Sequence, residues 1–196
     1  MDRYDASNDP YCYTDSSTLK NLLNIKDIDT LEKAERDITA QTIENVTFSQ
    51  PPYNLNYMQK LHRELFSLLY SWAGEVRTVD ISKSNTRFCN CLRIEAESEK
   101  LFQLLANDSW LYGLEREEFC VKLAEYYCEF NMIHPFREGN GRVQRLLFEH
   151  LALSAGYELS WESVNKDDWL QANIDGVHVN YEPMKNIFLN IVHALK

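Results

Sequence analysis

A mainly α fold, one domain built as a helical bundle with a single small β-hairpin, is what this sequence predicts. Three observations carry that prediction. Apolar residues recur at helical spacing through most of the 196 residues. Only one stretch, Arg77 to Ile94, changes to the alternation expected of strands. No repeat, low-complexity run or linker divides the chain, and 44% apolar residues suffice for one substantial core. The expected organisation is one compact domain, with an arm and first helix over 1–50 and a core over 51–196.

The elements follow in order. Residues 1 to 27 are polar and turn-rich but carry Tyr4, Tyr11 and Tyr13. Disordered tails are poor in aromatics, so this arm is expected to lie ordered against the body. From Asp29, the expected N-cap, to Val46, the residues Leu31, Ala34, Ile38 and Ile43 have helical spacing. After Pro51-Pro52 a second helix runs from Asn54 to Trp72, with Leu61, Leu65, Leu68, Leu69 and Trp72 as its apolar stripe, and Ala73-Gly74 ends it. In 77–94, Val79 and Ile81 alternate with polar neighbours, Ser84-Asn85 supplies a turn, and Phe88, Cys89, Leu92 and Ile94 follow. The pattern predicts a hairpin, with a plain connector between helices as the alternative. A lone hairpin is marginal in water, so it must lie against the helices. It also leaves an open edge to which an extended segment of another protein can add. Further helices are expected at Glu95 to Leu111, Glu117 to Ile133, Val143 to Ala155, Lys166 to Ile174 and Tyr181 to Leu195, with a short extended piece at Tyr157 to Trp161.

The formal net charge of −10 argues against a broad electrostatic footprint for nucleic acid or an anionic membrane surface. Arg137, Arg142 and Arg145 are therefore a local positive spot, which suits a small polyphosphate better than a polymer. The five cysteines, at 12, 89, 91, 120 and 128, form no disulfide framework, and Cys89-Asn90-Cys91 lacks a second pair, so no structural metal is expected. A reduced, cytoplasmic setting fits this usage. There is neither a signal peptide nor an apolar run of membrane length, and export through a C-terminal signal outside this chain stays open.

Chemistry concentrates in His134-Pro135-Phe136-Arg137-Glu138-Gly139-Asn140-Gly141-Arg142, with Arg145 three positions on. Proline disfavours helix in the residue before it, so the preceding helix ends at His134. Gly139-Asn140-Gly141 makes a turn that lets backbone approach a ligand closely. The next helix starts there, and its unpaired N–H groups and positive dipole end form an anion site. Arg142 and Arg145 share one face of its first turn. A base, a carboxylate, a glycine nest and two guanidiniums are the equipment of phosphoryl or nucleotidyl transfer. The bland alternatives are a structural histidine and a helix-start salt bridge from Glu138 to Arg142 or Arg145. The neighbouring nest and arginines weigh against them at His134, whereas His62, His150, His178 and His193 keep the structural reading.

This stretch resembles the signature of Fic-domain proteins, HxFx(D/E)GNGRxxR, at every defined position. The likeness extends to Leu61-His62-Arg63-Glu64-Leu65-Phe66, to Tyr70-Ser71-Trp72-Ala73-Gly74-Glu75-Val76-Arg77, to Asp80-Ile81-Ser82-Lys83 with Phe88, and to Asn8-Asp9-Pro10-Tyr11 with Leu22 to Asp27. The resemblance implies protein adenylyltransfer: AMP moves from ATP to a Tyr, Thr or Ser hydroxyl of a target protein, and pyrophosphate leaves. It implies His134 as the base, Glu138 as the Mg²⁺ ligand, and Gly139, Asn140 and Gly141 as the anion hole for the α- and β-phosphates. Arg142 would hold the β-phosphate and Arg145 the γ-phosphate. Phe136 would anchor the loop in the core, and Arg137 is expected only to support electrostatically. The hairpin, roughly 82–90, would be a flap docking the target by strand addition, with Lys83 and Phe88 as its contact residues. Gln171 and Asn173 are weighed for the adenine or ribose against plain helix-surface polarity. The related Doc proteins, which phosphorylate, carry lysine at the position of Gly141, and the glycine here favours AMP transfer.

Many family members are held off by a helix reading (S/T)xxxE(G/N), whose glutamate pairs with the second motif arginine, here Arg145. No such sequence is found in this chain. The resemblance therefore implies a small antitoxin-like partner that supplies the helix in trans and contacts the arm and first helix, with this chain as the toxin. DNA gyrase or topoisomerase IV is the family-based candidate target. The alternatives are the Fic domain of an exported effector, and a nucleotide-binding interaction module without transfer activity.

Overall fold

The computed structural model describes residues 9–195. The expectations placed on Tyr4 and Asn8 fall outside the described residues.

The fold is built around α4 (Arg116–Ile133). Phe119, Cys120, Leu123, Ala124, Tyr126, Tyr127, Cys128, Phe130 and Ile133 are all buried, so this helix is apolar on nearly every side and takes the centre of the bundle. Packed on it are α3 (Ile94–Asn107), α5 (Asn140–Ser154), α6 (Lys166–Val177) and α7 (Glu182–Ile191). Gly176 sets how closely α6 approaches: a Cβ there would meet the Cys128 Sγ at 2.6 Å. α2 (Leu55–Phe66) bridges α3 and α5, and α1 (Ile28–Thr42) closes over α2. The C-terminal end of α4 and the N-terminal end of α5 thus meet at one edge of the bundle, with α1 and α2 alongside.

The helical architecture matches the expectation, and several boundaries move. α1 is capped by Asp27, whose carboxylate accepts from the Thr30 N–H, so Asp29 sits inside the first turn rather than at the cap. The helix buries Leu31, Glu35 and Thr39, a line with two polar members that hydrophobic spacing does not detect. α2 stops at Phe66, six residues short of Trp72. Turns carry the chain from there: the Leu69 and Tyr70 N–H groups both donate to the Phe66 carbonyl and the Ala73 N–H to the Tyr70 carbonyl, with Leu69, Tyr70 and Trp72 buried. Leu68, expected in the stripe, is exposed. α5 opens at Asn140 rather than Val143.

The hairpin is present and tight. β1 (Ser82–Lys83) pairs antiparallel with β2 (Thr86–Arg87) around Ser84-Asn85, and Ile81 and Phe88 pack together beneath it with Val79. A second ladder was not expected. After α7 the chain straightens at Val192–Ala194 (β4) and pairs antiparallel with Tyr157–Leu159 (β3). Its strands lie far apart in sequence, and each is too short to show a period of its own. The described part of the arm lies against the body: Cys12 and Leu19 form an isolated bridge, the Leu22 N–H donates to the Leu69 carbonyl, and Tyr11 meets Trp72 edge-on.

Candidate active site

The loop from His134 to Asn140 is buried throughout. Such a loop must satisfy its backbone internally, and each of its contacts does so. The Asn140 side chain closes the loop on itself: its Oδ1 accepts from the Phe136 N–H and its Nδ2 donates to the Phe136 carbonyl, both at 2.8 Å. Asn140 therefore turns its side chain into the loop, and only its backbone N–H is available to an anion. Phe136 is buried and stacks on His62 at 4.1 Å. The His62 Nδ1 accepts from the Gly74 N–H, and its Nε2 donates to the Glu138 carbonyl at 3.0 Å. Burial pushes the His62 pKa down to about 3, so the ring is neutral, as that pair of hydrogen bonds requires.

His134 ends α4 in the left-handed conformation, φ 46°, ψ 65°, rather than the extended one that a following proline favours. That backbone is uncommon outside glycine, although histidine is among the residues that visit it. Its Nδ1 donates to the Asn131 carbonyl at 2.7 Å, which leaves Nε2 as the unprotonated nitrogen of a neutral ring. The Phe88 ring lies parallel to the imidazole, 3.8 Å between centroids. Arg77 holds the geometry from behind. It is fully buried and donates to the carbonyls of His134 (2.8 Å), Val79 (2.6 Å), Cys89 (2.5 Å) and Ile133 (3.3 Å). One guanidinium thus joins both ends of the hairpin to the loop that follows α4.

Gly139 caps α5 with φ 78°, and a Cβ there would stand 2.3 Å from the Phe66 ring, so no other residue fits. Glu138 is buried, and its Oε1 accepts from the Gly139 N–H at 2.9 Å and lies 3.5 Å from Arg142. Gly141 differs from Gly139, because nothing lies within 4 Å of an added Cβ. Its lack of a side chain is not a packing demand; it keeps the mouth of α5 open. A cavity of ≈ 310 Å³ occupies that mouth, lined by Glu32, Glu35, Arg36, Glu138, Gly139, Gly141, Arg142 and Arg145. His134 is outside this lining, at the other end of the buried loop.

The two motif arginines share the cavity but have different supports. Arg142 lies over the Phe66 ring and pairs with Glu35 at 2.5 Å, and it donates to the Thr39 hydroxyl at 3.1 Å. Burial opposes its charge, yet Glu35 and Glu138 more than offset that and hold its pKa above the ordinary arginine value. Arg145 is exposed and lies against the faces of Trp161 and Trp169, 5.4 Å from each ring centroid. Arg137 does more than lend charge: it is buried and pairs with Asp9 at 2.6 Å, tying the arm to the loop. Of the flap residues, Lys83 is half-buried on β1, whereas Phe88 faces the histidine rather than solvent. Gln171 and Asn173 bond within α6, to Asp175 and to the Trp169 carbonyl, and neither lines the cavity.

The sequence profile of the Fic/DOC family matches residues 52–152. The chain belongs to that family. Its relatives include an Escherichia coli (strain K12) protein named probable protein adenylyltransferase Fic, 38% identical over 191 residues, spanning 97% of this chain and 96% of the relative. Another is protein adenylyltransferase VbhT of Bartonella schoenbuchensis, 37% identical over 94% of this chain but only 39% of VbhT. Among solved structures, a Fic domain from Bartonella quintana with bound ADP superposes with a TM-score of 0.87 at 32% identity, covering 95% of each chain. BepC from Bartonella tribocorum with bound AMPPNP gives 0.86 at 28% identity, covering 95% of this chain and 97% of BepC. This Fic protein is a protein adenylyltransferase.

Sequence reasoning missed Glu35, Thr39, Tyr70 and Arg77 as parts of the site. The one available signal was polarity at helical spacing within α1, where Leu31, Glu35 and Thr39 share a face.

Proposed function

We propose that this Fic protein transfers AMP from ATP to a Tyr, Thr or Ser hydroxyl of a target protein as the toxin of a toxin–antitoxin pair. The observation that carries the chemistry is the cavity at the N-terminus of α5, where Gly139, Gly141, Arg142 and Arg145 surround a space of triphosphate character. The N–H groups of the first helical turn donate to oxygens of the α- and β-phosphates. Arg142 meets the β-phosphate and Arg145 the γ-phosphate. His134 Nε2 takes the proton of the incoming hydroxyl; the hydroxyl oxygen bonds to the α-phosphorus, the bond to the β-phosphate oxygen breaks, and pyrophosphate departs. No group of three or more metal-ligating side chains occurs among the described residues. Glu138 together with phosphate oxygens would hold Mg²⁺, which suits an ion commonly bound by one carboxylate and a nucleotide. When bound, that ion would neutralise phosphate charge.

The flap edge at β1 and β2 aligns the target strand, with Lys83 beside it. The partner is a small antitoxin whose inhibitory glutamate reaches Arg145. The exposure of that arginine and the position of α1 along the cavity support this reading. Bacterial DNA gyrase or topoisomerase IV is the candidate target, and the cytoplasm the working compartment. No described helix is long and apolar enough to cross a membrane. A second reading, the same chemistry in an exported effector, draws on similar structures described as VirB-translocated effector proteins.

The test is incubation of the purified protein with ATP labelled at the α-phosphate, Mg²⁺ and bacterial lysate, beside His134→Ala. The expected outcome is a labelled band that weakens by about 10²–10⁴-fold in the variant. Equal labelling by both proteins overturns the proposal.

A further inference from the structure

Arg142 is held by a residue that the family match does not reach. Glu35 lies on α1, outside the matched segment 52–152, and 107 positions before Arg142. It is 1% exposed, a setting that a carboxylate tolerates only when paired and hydrogen-bonded. Both of its oxygens are engaged: Oε1 takes the Arg142 guanidinium at 2.5 Å, and Oε2 accepts from the Tyr70 hydroxyl. Thr39, one turn further along α1, accepts a second N–H of the same guanidinium at 3.1 Å and donates its hydroxyl hydrogen to the Glu35 carbonyl at 2.7 Å. Phe66 supports the guanidinium through its ring face. The arginine is thus gripped on one edge by α1 and beneath by α2, while it lines the cavity.

Two roles are open to such a carboxylate. It could compete with phosphate for Arg142, or it could aim Arg142 at phosphate. The burial decides between them. If Arg142 let go of Glu35 to reach a nucleotide, a carboxylate would be left inside the protein without its cation, a strongly unfavourable state. Arginine has five N–H donors in a rigid fork, so it can keep one edge on Glu35 and Thr39 and offer the remainder to an anion. We infer that Glu35 is a positioning residue for nucleotide transfer: it fixes the Arg142 guanidinium toward the β-phosphate and makes α1 a working part of the nucleotide site. This rests on the phosphate role of Arg142 proposed above.

The experiment measures, on the full chain, equilibrium binding of ADP and of AMP, label transfer from α-labelled ATP, and thermal melting. Glu35→Gln keeps the shape and removes the charge. Its expected effect is an ADP affinity about tenfold lower with AMP affinity unchanged, since AMP has no β-phosphate, and label transfer down about 10²-fold. A residue that only stabilised the fold would lower the melting temperature and leave the ADP-to-AMP ratio where it was. Tyr70→Phe, which removes one hydrogen bond to Glu35, is expected to shift the same ratio in the same direction by less, and it carries the test if Glu35→Gln does not fold. An unchanged ratio with undiminished transfer, or transfer that rises, overturns the inference. Arg142→Ala separates the two claims: if that variant also binds ADP normally, the phosphate role of Arg142 fails, whatever Glu35 does.

Discussion

The flap and the catalytic loop are both turns without long regular structure, and they are built in opposite ways. From His134 to Asn140 every residue is buried, and the backbone is satisfied by Asn140, His62 and Arg77. From Ser82 to Arg87 none is buried, and two residue pairs form the whole ladder. The loop's shape is determined by many neighbours, which suits the proposed role of holding reacting groups to a fraction of an ångström. The hairpin leaves its edge to solvent, as the proposed docking of a target segment requires, and its base is fastened through Arg77 and the Ile81–Phe88 contact. A buried, over-determined loop and an open, sparsely held hairpin thus stand side by side, with Arg77 joining them.

The largest effect is expected where the loop is most tightly determined. Gly139→Ala forces a Cβ into the Phe66 ring at a positive φ, and stability should fall by about 3 kcal/mol or more, read as a lower denaturant midpoint. A midpoint equal to the parent's would mean that the loop can yield, and the contrast with the flap would be lost.

Acid should act next, through His62. Its folded pKa of about 3 lies below the ordinary histidine value, so the unfolded chain takes up a proton that the folded one refuses. The contribution is therefore complete above about pH 6.5 and shrinks as pH falls toward 3, by about 1.4 kcal/mol per unit. His150, which burial also depresses, adds in the same direction. A stability profile over pH 4–8 should be less steep in His62→Gln than in the parent, and identical slopes would remove His62 as the acid-sensitive support of the loop.

The smallest structural effect is expected at the flap. Lys83→Ala should change stability by less than about 0.5 kcal/mol, because its surroundings are half-open. It should raise the KM for the target protein several-fold and leave the KM for ATP unchanged. Steady-state kinetics with each substrate varied in turn separate these effects, and a raised KM for ATP alone would move Lys83 from the docking edge to the nucleotide site.

The helices and the motif were legible for the same reason: their determinants are local. The helical spacing of apolar residues through 117–133 and the nine contiguous residues of the motif can be read without knowing what lies across the molecule. The failures are all non-local. α2 gives way to turns after Phe66, where the arm's Leu22 N–H donates to the Leu69 carbonyl, and β4 breaks the expected last helix by pairing with β3. Phe88, which the resemblance places among the flap's contact residues, stacks on an imidazole 46 positions away, a contact that no local pattern shows.

From its own sequence this protein determined a helical bundle, the kind of chemistry, and the residue types that carry it, since spacing along one helix turn is set by backbone geometry alone. Only the tertiary structure decided how those residues are aimed. Arg142 faces its cavity because Glu35 grips it from another helix, and Arg145 stands on two tryptophans. The ring of His134 is oriented by the Asn131 carbonyl, which takes the hydrogen bond from Nδ1. Orientation depends on partners brought together by packing, and no spacing along the chain encodes them.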